Sequence, residues 1–285
     1  MKNDTILCMK KIEKRFSELI HNKEWLNRLM QLEKERLGFD KDKLVFIGMA
    51  NLSKFYWCPI ESFIKSKERE ISFFDSYIID RFLFAKEIGF VKEFPKSDTE
   101  LLEICSKVTF DNKIKNFNEQ EKPKENPFSD GEIKFNTDNE FVKGKIYEMF
   151  KAEQYPRIRW NFKTDNYVLI GCPDGIAKDF TYEFKKVRTR FLFNYKKICA
   201  FTQADLYSFF FKRKNKRVQI FIEEEKKTET FQEPVDVKRV KETLDKFNNL
   251  VDNNVISMFP VKWKCKCCDV KDSCKNIIRN IKCSI

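Results

Sequence analysis

The order of helical and strand patterns in the second half of the chain constrains its fold more than any other sequence feature. Apolar residues recur at helical spacing in some segments, and they alternate or run together, as strand residues do, in others. The predicted order is helix, strand, strand, helix, strand and helix, over residues 141–150, 167–170, 179–187, 202–211, 216–225 and 237–251. Such interleaving favours an α/β or α+β core over a helical bundle or a β-sandwich.

The first half of the chain is predicted to be largely helical. Apolar residues at intervals of about 3.6 predict a helical arm from Lys10 to Leu37, and a second helical stretch covers Pro59 to Ala85. Between Asp111 and Glu140 the composition shifts to Lys, Asn, Glu and Pro, which predicts a linker. Four segments are expected, namely a helical N-terminal arm, a helical insertion with the linker, the core and a cysteine-containing tail, at residues 1–57, 58–140, 141–260 and 261–285.

Charge and histidine content narrow the classes of function. Lys and Arg total 56 against 44 Asp and Glu, so the net charge is +12 and the isoelectric point is near 9.1. This balance favours a polyanionic partner such as nucleic acid, and the alternative is a solvated basic surface with no specific ligand. His21 is the only histidine of the sequence, which argues against His-rich zinc sites and leaves acid–base chemistry to carboxylates, lysine or tyrosine.

Hydropathy and cysteine usage bear on the compartment. The apolar patch near the N-terminus is too short for a signal peptide, and no window approaches the roughly 18 uninterrupted apolar residues of a membrane span. We therefore expect a cytoplasmic protein with no membrane partner. In a reducing compartment the ten cysteines would not form a disulfide framework, so their spacing is interpreted first as metal chemistry.

Two carboxylates and a lysine stand close together in the predicted strand region. Asp174 lies in the turn GCPDG, and period-two geometry puts Glu183 and Lys185 of DFTYEFKKV on one face of a strand. If Asp174 and Glu183 meet across a hairpin, their repulsion calls for a divalent cation such as Mg²⁺ or Mn²⁺. Lys185 would then position water or stabilise negative charge, which outlines a site for phosphodiester hydrolysis. The alternative is an ordinary turn beside an amphipathic edge strand with a surface Glu–Lys pair.

Gln203 and Tyr207 add polar groups to the predicted helix over residues 202–211. They are four residues apart, so they share a face of that helix and would touch a phosphate or a base. The alternative is a core tyrosine with a glutamine that faces solvent.

The C-terminal segment carries a metal half-site. In WKCKCCDVKDSC, two residues separate Cys265 from Cys268, and five separate Cys268 from Cys274. Cys58, in FYWCPIE, is a candidate fourth ligand because a Cys-Pro pair resembles a ligating turn. Paired zinc ribbons normally show two C-x2-C knuckles and this set has one, so the asymmetry favours an iron–sulfur cluster. A zinc-binding nucleic-acid module is the alternative.

Taken together, GCPDG, YEFKK and QADLY, bracketed by an early Cys-Pro and a late C-x2-C-x5-C, resemble the PD-(D/E)xK nucleases of the RecB type. More closely, they resemble the CRISPR-associated Cas-four exonucleases and their iron–sulfur relatives, over Phe55 to Pro59 and Phe141 to Cys274. The resemblance implies a restriction-endonuclease-type core with a mixed sheet flanked by helices. It also implies a single-strand-directed DNA exonuclease, in some members an endonuclease, that acts in CRISPR adaptation and antiviral defence or in DNA repair, with adaptation or helicase proteins as partners.

The resemblance also implies roles for individual residues. The metal ligands for Mg²⁺ or Mn²⁺ and the catalytic residues would be Asp174, Glu183, the carbonyl of Phe184, Lys185, Gln203 and Tyr207. A four-iron four-sulfur cluster would be held by Cys58, Cys265, Cys268 and Cys274. The family helix usually adds a metal-binding histidine before a glutamate, whereas GKIYE has Tyr147 before Glu148, so one of these two would take that place. A nuclease-fold DNA-binding or scaffold subunit without cleavage is therefore the alternative function.

Overall fold

The computed structural model describes residues 12–120, 142, 146, 155–256, 262–266, 268–280 and 282–283. Within them the fold is mixed α+β, which confirms the predicted class at that level. The chain divides into two compact units, each discontinuous in sequence. The first takes its described residues from Met1–Ile47, Glu68–Gln120 and Trp160–Ile170, and the second from Gly48–Lys67, Glu121–Arg159 and Gly171–Ile285. The four continuous segments expected from the sequence remain predictions.

Helices and strands interleave along the described chain. The helices are α1 (12–20), α2 (Lys23–Arg36), α3 (Met49–Leu52), α4 (Pro59–Glu68), α5 (Glu70–Glu87), α6 (Asp98–Ser106), α7 (Phe110–Gln120), α8 (Arg190–Phe210), α9 (Val237–Asn253), α10 (Lys262–Lys266) and α11 (Lys271–Ile277). The strands are β1 (Phe46–Gly48), β2 (Trp160–Lys163), β3 (Val168–Gly171), β4 (Gly175–Ile176), β5 (Phe180–Val187), β6 (Asn215–Ile222), β7 (Lys227–Pro234), β8 (Val255–Ile256) and β9 (Lys282–Cys283). Short 3₁₀ turns cover Ser53–Tyr56 and Ile278–Asn280.

The first unit packs helices α1, α2, α5, α6 and α7 around an aromatic core, with a sheet of order β1–β3–β2. Phe46 of β1 meets Phe74 of α5 with ring centroids 4.9 Å apart. The Glu70 carboxylate at the start of α5 accepts the backbone N–H of Val45 at 2.7 Å, which ties the helix to the strand. The predicted helix from residue 10 to 37 is confirmed over its described part as α1 and α2, with a break where the Asn22 side chain caps α2, and residues 10 and 11 lie outside the described chain.

Two predictions for this half of the chain are corrected. The stretch from residue 59 to 85 is two helices, α4 and α5, with Arg69 between them. The predicted linker begins with helix α7, whose first residue Phe110 packs on Phe162 of β2 at 5.0 Å between ring centroids. Its polar composition concealed a helical period, because Ile114 and Phe117 lie half-buried on one face. Residues 121–140 of that linker lie outside the described chain.

The second unit contains a four-stranded mixed sheet of order β4–β5–β6–β7. Strands β5 and β6 are parallel and the two outer pairs are antiparallel. Parallel neighbours need a crossover, which α8 provides while it packs on one face of the sheet. An apolar cluster lies between them and consists of Val187, Phe193, Ala200, Phe201, Ala204, Val218, Ile220 and Ile222.

The structure confirms β5, α9 and β6 close to their predicted bounds and corrects the pairing of β5, the start of α8 and the omission of β7. Strand β3 does not pair with β5 as a hairpin, because it belongs to the first sheet, and β5 pairs instead with the two-residue strand β4. Helix α8 begins at Arg190 rather than at residue 202. Its first half is apolar on its solvent side as well, with Phe191 56% and Ile198 51% exposed, so it shows no clear helical period. Strand β7 was missed because it is exposed along most of its length.

One predicted element lies almost wholly outside the described residues. Of the helix predicted over residues 141–150, only 142 and 146 are described, and both are helical. Tyr147 and Glu148 therefore lie outside the described chain. None of the helices in the described ranges is long and apolar enough to cross a membrane.

Candidate functional site

A tight hairpin between β4 and β5 brings Asp174 and Glu183 together. The antiparallel register pairs Gly175 with Tyr182, and continuing it by one residue sets Asp174 opposite Glu183. Residues directly opposite in such a pair project their side chains to the same face. The Phe184 N–H donates to Oδ2 of Asp174 at 2.8 Å, which fixes the aspartate against β5. The two carboxylates thus converge through β4, an element that the sequence analysis did not identify.

Glu183 is the most deeply buried charged group at this hairpin. Its residue is 0% exposed and Asp174 is 9% exposed, so both carboxylates are largely removed from water. A buried charge is costly unless it is paired or binds a metal. Lys185 donates to Oε1 of Glu183 from the same face of β5, and its side chain is 29% exposed. The pair therefore joins a buried carboxylate to an ammonium group that reaches solvent.

Helix α8 adds Gln203 and Tyr207 to the same region. Gln203 Nε2 donates to the Tyr207 hydroxyl at 3.1 Å, and both residues are buried, so the glutamine does not face solvent. Desolvation raises the pKa of Tyr207 well above its ordinary value, and the nearby charges of Glu183, Cys172 and Asp174 act in the same direction, against the hydrogen bond from Gln203. The phenol therefore stays neutral at physiological pH. Tyr207 belongs to α8, which packs against β5.

Buried polar contacts fix α8 against the sheet that carries the carboxylates. Thr181 Oγ1 lies 2.6 Å from Ser208 Oγ, on the face of β5 that also holds Glu183. Asp205, which is fully buried, accepts from Lys216 Nζ and from Arg239, each at 2.7 Å. Asp205 was not predicted to be a positioning residue, although it lies within the QADLY motif. An acidic residue in the middle of an otherwise apolar helical run could have indicated a buried, paired carboxylate.

The four predicted cluster cysteines lie in the second unit, and electrostatic coupling links them in part. Cys58 is buried, and its Sγ accepts the Glu61 backbone N–H at 3.4 Å. Desolvation raises the pKa of Cys58 to about 11, and the charge of Cys268 contributes in the same direction. Desolvation likewise raises the pKa of Cys274, followed by the charges of Cys265 and Cys268. The charge of Cys268 therefore acts on both Cys58 and Cys274.

These contacts fit a metal site only partly. Within the ranges that the structure describes, no three or more His, Cys, Asp or Glu side chains form a group that would hold a metal ion. At the carboxylate site the described chain supplies Asp174 and Glu183, while Tyr147 and Glu148, predicted to complete it, lie outside. At the cysteine site, burial keeps the metal-free Cys58 thiol protonated, while the Glu61 N–H that its Sγ accepts would stabilise a thiolate ligand.

An ion-pair network holds the C-terminal segment beside Cys58. Glu61 accepts from Lys65 and from Lys264, each at 2.8 Å, and Lys65 also reaches Asp269 at 2.8 Å. Glu61 is 4% exposed, so two of these contacts are made in a largely desolvated place. We call these four residues the Glu61 network. It connects α4, which Cys58 precedes, with the segment that contains Cys265 and Cys268.

Comparison of the chain with protein-family models, with curated proteins and with solved structures finds no match. Its candidate functional residues are therefore argued from their own chemistry and placement. The described chain brings Asp174, Glu183, Lys185, Gln203 and Tyr207 to one region of the second unit.

Proposed function

We propose that this protein is a metal-dependent deoxyribonuclease that hydrolyses phosphodiester bonds on a RecB-like PD-(D/E)xK core. The observation that supports this most directly is the fully buried Glu183, opposite Asp174 and paired with Lys185 on one face of β5. A surface Glu–Lys pair would leave the carboxylate in water. A site for a hard divalent cation instead needs converging, desolvated oxygen ligands.

Each residue has a role that its surroundings support. Asp174 and Glu183 would hold Mg²⁺ or Mn²⁺, with the Phe184 carbonyl and with Glu148 or Tyr147. When bound, the cation would supply charge stabilisation at the scissile phosphate. Lys185 is anchored at Glu183 and reaches solvent, so it would orient the attacking water or stabilise charge on a phosphate oxygen.

Gln203 and Tyr207 would position the substrate rather than transfer protons. The Tyr207 phenol is held neutral by burial, and it accepts the Gln203 amide. A neutral hydroxyl next to two carboxylates donates a hydrogen bond, so Tyr207 would orient an oxygen atom near Asp174 and Glu183. We assign both residues a positioning role.

We further propose that Cys58, Cys265, Cys268 and Cys274 hold a four-iron four-sulfur cluster with a structural role. The coupling of Cys268 to both Cys58 and Cys274 supports this set. The test is the iron and sulfide content of protein purified without oxygen, with zinc measured in the same sample. Stoichiometric zinc without iron would contradict the cluster and favour a zinc module.

The substrate is proposed to be DNA that is single-stranded or has single-stranded ends, in a cytoplasmic setting of CRISPR adaptation, antiviral defence or DNA repair. The net charge of +12 supports a polyanionic substrate. Adaptation or helicase proteins are the proposed partners. The alternative, a DNA-binding or scaffold subunit that does not cleave, is favoured by Tyr147, because a protonated phenol is a poor ligand for Mg²⁺.

The deciding experiment compares wild type with Lys185→Ala on end-labelled single- and double-stranded DNA, with Mn²⁺, Mg²⁺ or EDTA. We expect the wild type to cleave only with metal, and the variant to lose about a hundredfold or more in rate while single-strand binding changes little. Lys178→Ala is the matched control, because Lys178 is exposed in the turn of the same hairpin. Metal-dependent cleavage that survives Lys185→Ala would remove Lys185 from catalysis. Wild-type binding without cleavage would favour the scaffold alternative.

A further inference from the structure

A row of partly exposed aromatic rings lies along the first half of α8 and the turn before α4. Trp57 and Tyr195 meet edge to face with ring centroids 5.6 Å apart, and Tyr195 lies 5.1 Å from Phe191. Phe191 is 56% exposed, and Trp57 and Tyr195 are each partly exposed. Exposed large aromatic side chains in a cluster are typical of a binding surface rather than of a core. We call Trp57, Tyr195 and Phe191 the aromatic row.

Lysines flank the aromatic row. The ammonium nitrogens of Lys196 and Lys264 lie 5.4 and 5.2 Å from the ring centroid of Trp57. Lys196 is close enough to Lys185 and Lys264 for their positive charges to act on it. This crowding of like charges gives the surface a positive potential that a phosphate group would relieve.

The lysines also link the aromatic row to the carboxylate site. Lys54, Lys185 and Lys196 each act electrostatically on the buried Cys199 thiol in α8. The acidic side chains near this group are Glu183, which pairs with Lys185, and Glu61, which is bound to Lys65 and Lys264. The lysines therefore outnumber these two carboxylates between the aromatic row and the proposed catalytic lysine.

We propose that the aromatic row, with Lys54, Lys196 and Lys264, binds single-stranded DNA and leads it to Lys185. Unpaired bases stack on aromatic faces while cationic side chains contact the backbone phosphates. Bases within a duplex are stacked on one another and do not offer such faces, so the row selects single strands. The direction toward Lys185 rests on the proposed nuclease function, whereas binding by the row does not.

The test is fluorescence anisotropy of a labelled oligo(dT) strand in EDTA, so that binding is measured without cleavage. We expect the Phe191→Ala, Tyr195→Ala double variant to bind at least about tenfold more weakly than wild type. The matched control is Phe209→Ala, which removes a ring that is 39% exposed at the other end of the same helix, and it should bind within twofold of wild type. Phe191→Ala alone, at the most exposed ring, should weaken binding severalfold without affecting the fold.

Several results would overturn the proposal. Binding of the double variant within twofold of wild type would do so, as would an equal loss in Phe209→Ala. An equal loss for a blunt duplex of the same length would refute selection of single strands. The nuclease proposal is judged separately, because Lys185→Ala cleavage is measured with metal. If the wild type does not cleave DNA but loses binding when the aromatic row is removed, the nuclease proposal is contradicted and the binding proposal stands.

Discussion

Two buried tyrosines lie at β5, and only Tyr207 belongs to the helix that packs on the face of the strand holding Thr181 and Glu183. Tyr207 accepts a hydrogen bond from Gln203, and both tyrosines are coupled to Asp174 and Glu183. Tyr182 lies on the opposite face of β5 and donates to Gln219 at 2.7 Å. The two hydroxyls thus have similar hydrogen-bonding partners in different surroundings. Their comparison separates a functional role from a structural one.

Replacing each tyrosine by phenylalanine should have the same effect on stability and different effects on cleavage. Each change removes one side-chain hydrogen bond, so each should lower the free energy of unfolding by about 1 kcal/mol. Only Tyr207→Phe should lower the cleavage rate, by roughly tenfold, because it removes the positioning hydroxyl on the side of β5 that holds Glu183. Urea unfolding and the cleavage assay check the two expectations. Equal cleavage by Tyr182→Phe and Tyr207→Phe would restrict Tyr207 to the core.

Sequence patterns predicted that the candidate site residues share elements, but they did not predict the residues that hold those elements in place. Glu183 and Lys185 share a face because strand geometry has a period of two, and this is legible in DFTYEFKKV. Asp205 was not found, because its function depends on Lys216 and Arg239, which approach it from other elements. A one-dimensional pattern contains no information on which distant charges will meet. Positioning residues of this kind emerge only from the fold.

At the scale of elements, helix α4 and the C-terminal segment are joined by the Glu61 network. We expect Glu61→Gln to lower the free energy of unfolding by about 2 kcal/mol, because it removes the charge that binds Lys65 and Lys264 in a desolvated place. In metal-free protein it should also speed alkylation of Cys58, measured by mass spectrometry. Glu68→Gln, at an exposed glutamate of the same helix, is the control.

Unchanged alkylation in Glu61→Gln would mean that the network does not cover Cys58. Faster alkylation in both variants would point to a general loosening of α4. The expected result, a change in Glu61→Gln alone, would show that ion pairs hold the C-terminal segment at Cys58 before any metal binds.

Elements with a strong hydrophobic period were predictable from the sequence, whereas elements with a weak period were not. Helix α9 follows its predicted bounds because Val240, Phe247 and Leu250 recur on one buried face and Asp236 caps its start. Strand β4 has two residues, too few to show any period, so the hairpin was assigned to the wrong partner strand. A short strand is stabilised by its neighbours, and its own sequence specifies little.

At the scale of the whole molecule, the excess of positive charge predicts salt-sensitive DNA binding. Four lysines lie along the proposed path, namely Lys54, Lys185, Lys196 and Lys264. Each phosphate contact contributes about −0.7 to the slope of log K against log salt for a single strand, so the slope should be about −3. Anisotropy titrations at several salt concentrations measure it.

The same titration with single variants assigns the slope to particular lysines. Lys196→Ala should reduce its magnitude by about 0.7. Lys226→Gly should leave it unchanged, because Lys226 lies in the β6–β7 turn, with a φ of 47° that glycine adopts without strain. Equal slopes for the wild type and both variants would assign the salt dependence to the overall charge of the protein rather than to Lys196.

The order of helical and strand patterns predicted the class of fold, yet it did not show how the chain is divided. The first unit needs Glu68–Gln120 and Trp160–Ile170 as well as the N-terminal part, and these are separated by residues of the second unit. Contacts between segments so far apart leave no local pattern in the sequence.

This division has a consequence for synthesis on the ribosome. Strand β1 is made early, but its sheet order β1–β3–β2 requires two strands that follow more than a hundred residues later. The nascent chain therefore carries the apolar residues of β1 without their strand partners until residue 171 has emerged. A chaperone that shields apolar segments would be needed during that interval, and a chain that stalls before β3 would be a substrate for degradation.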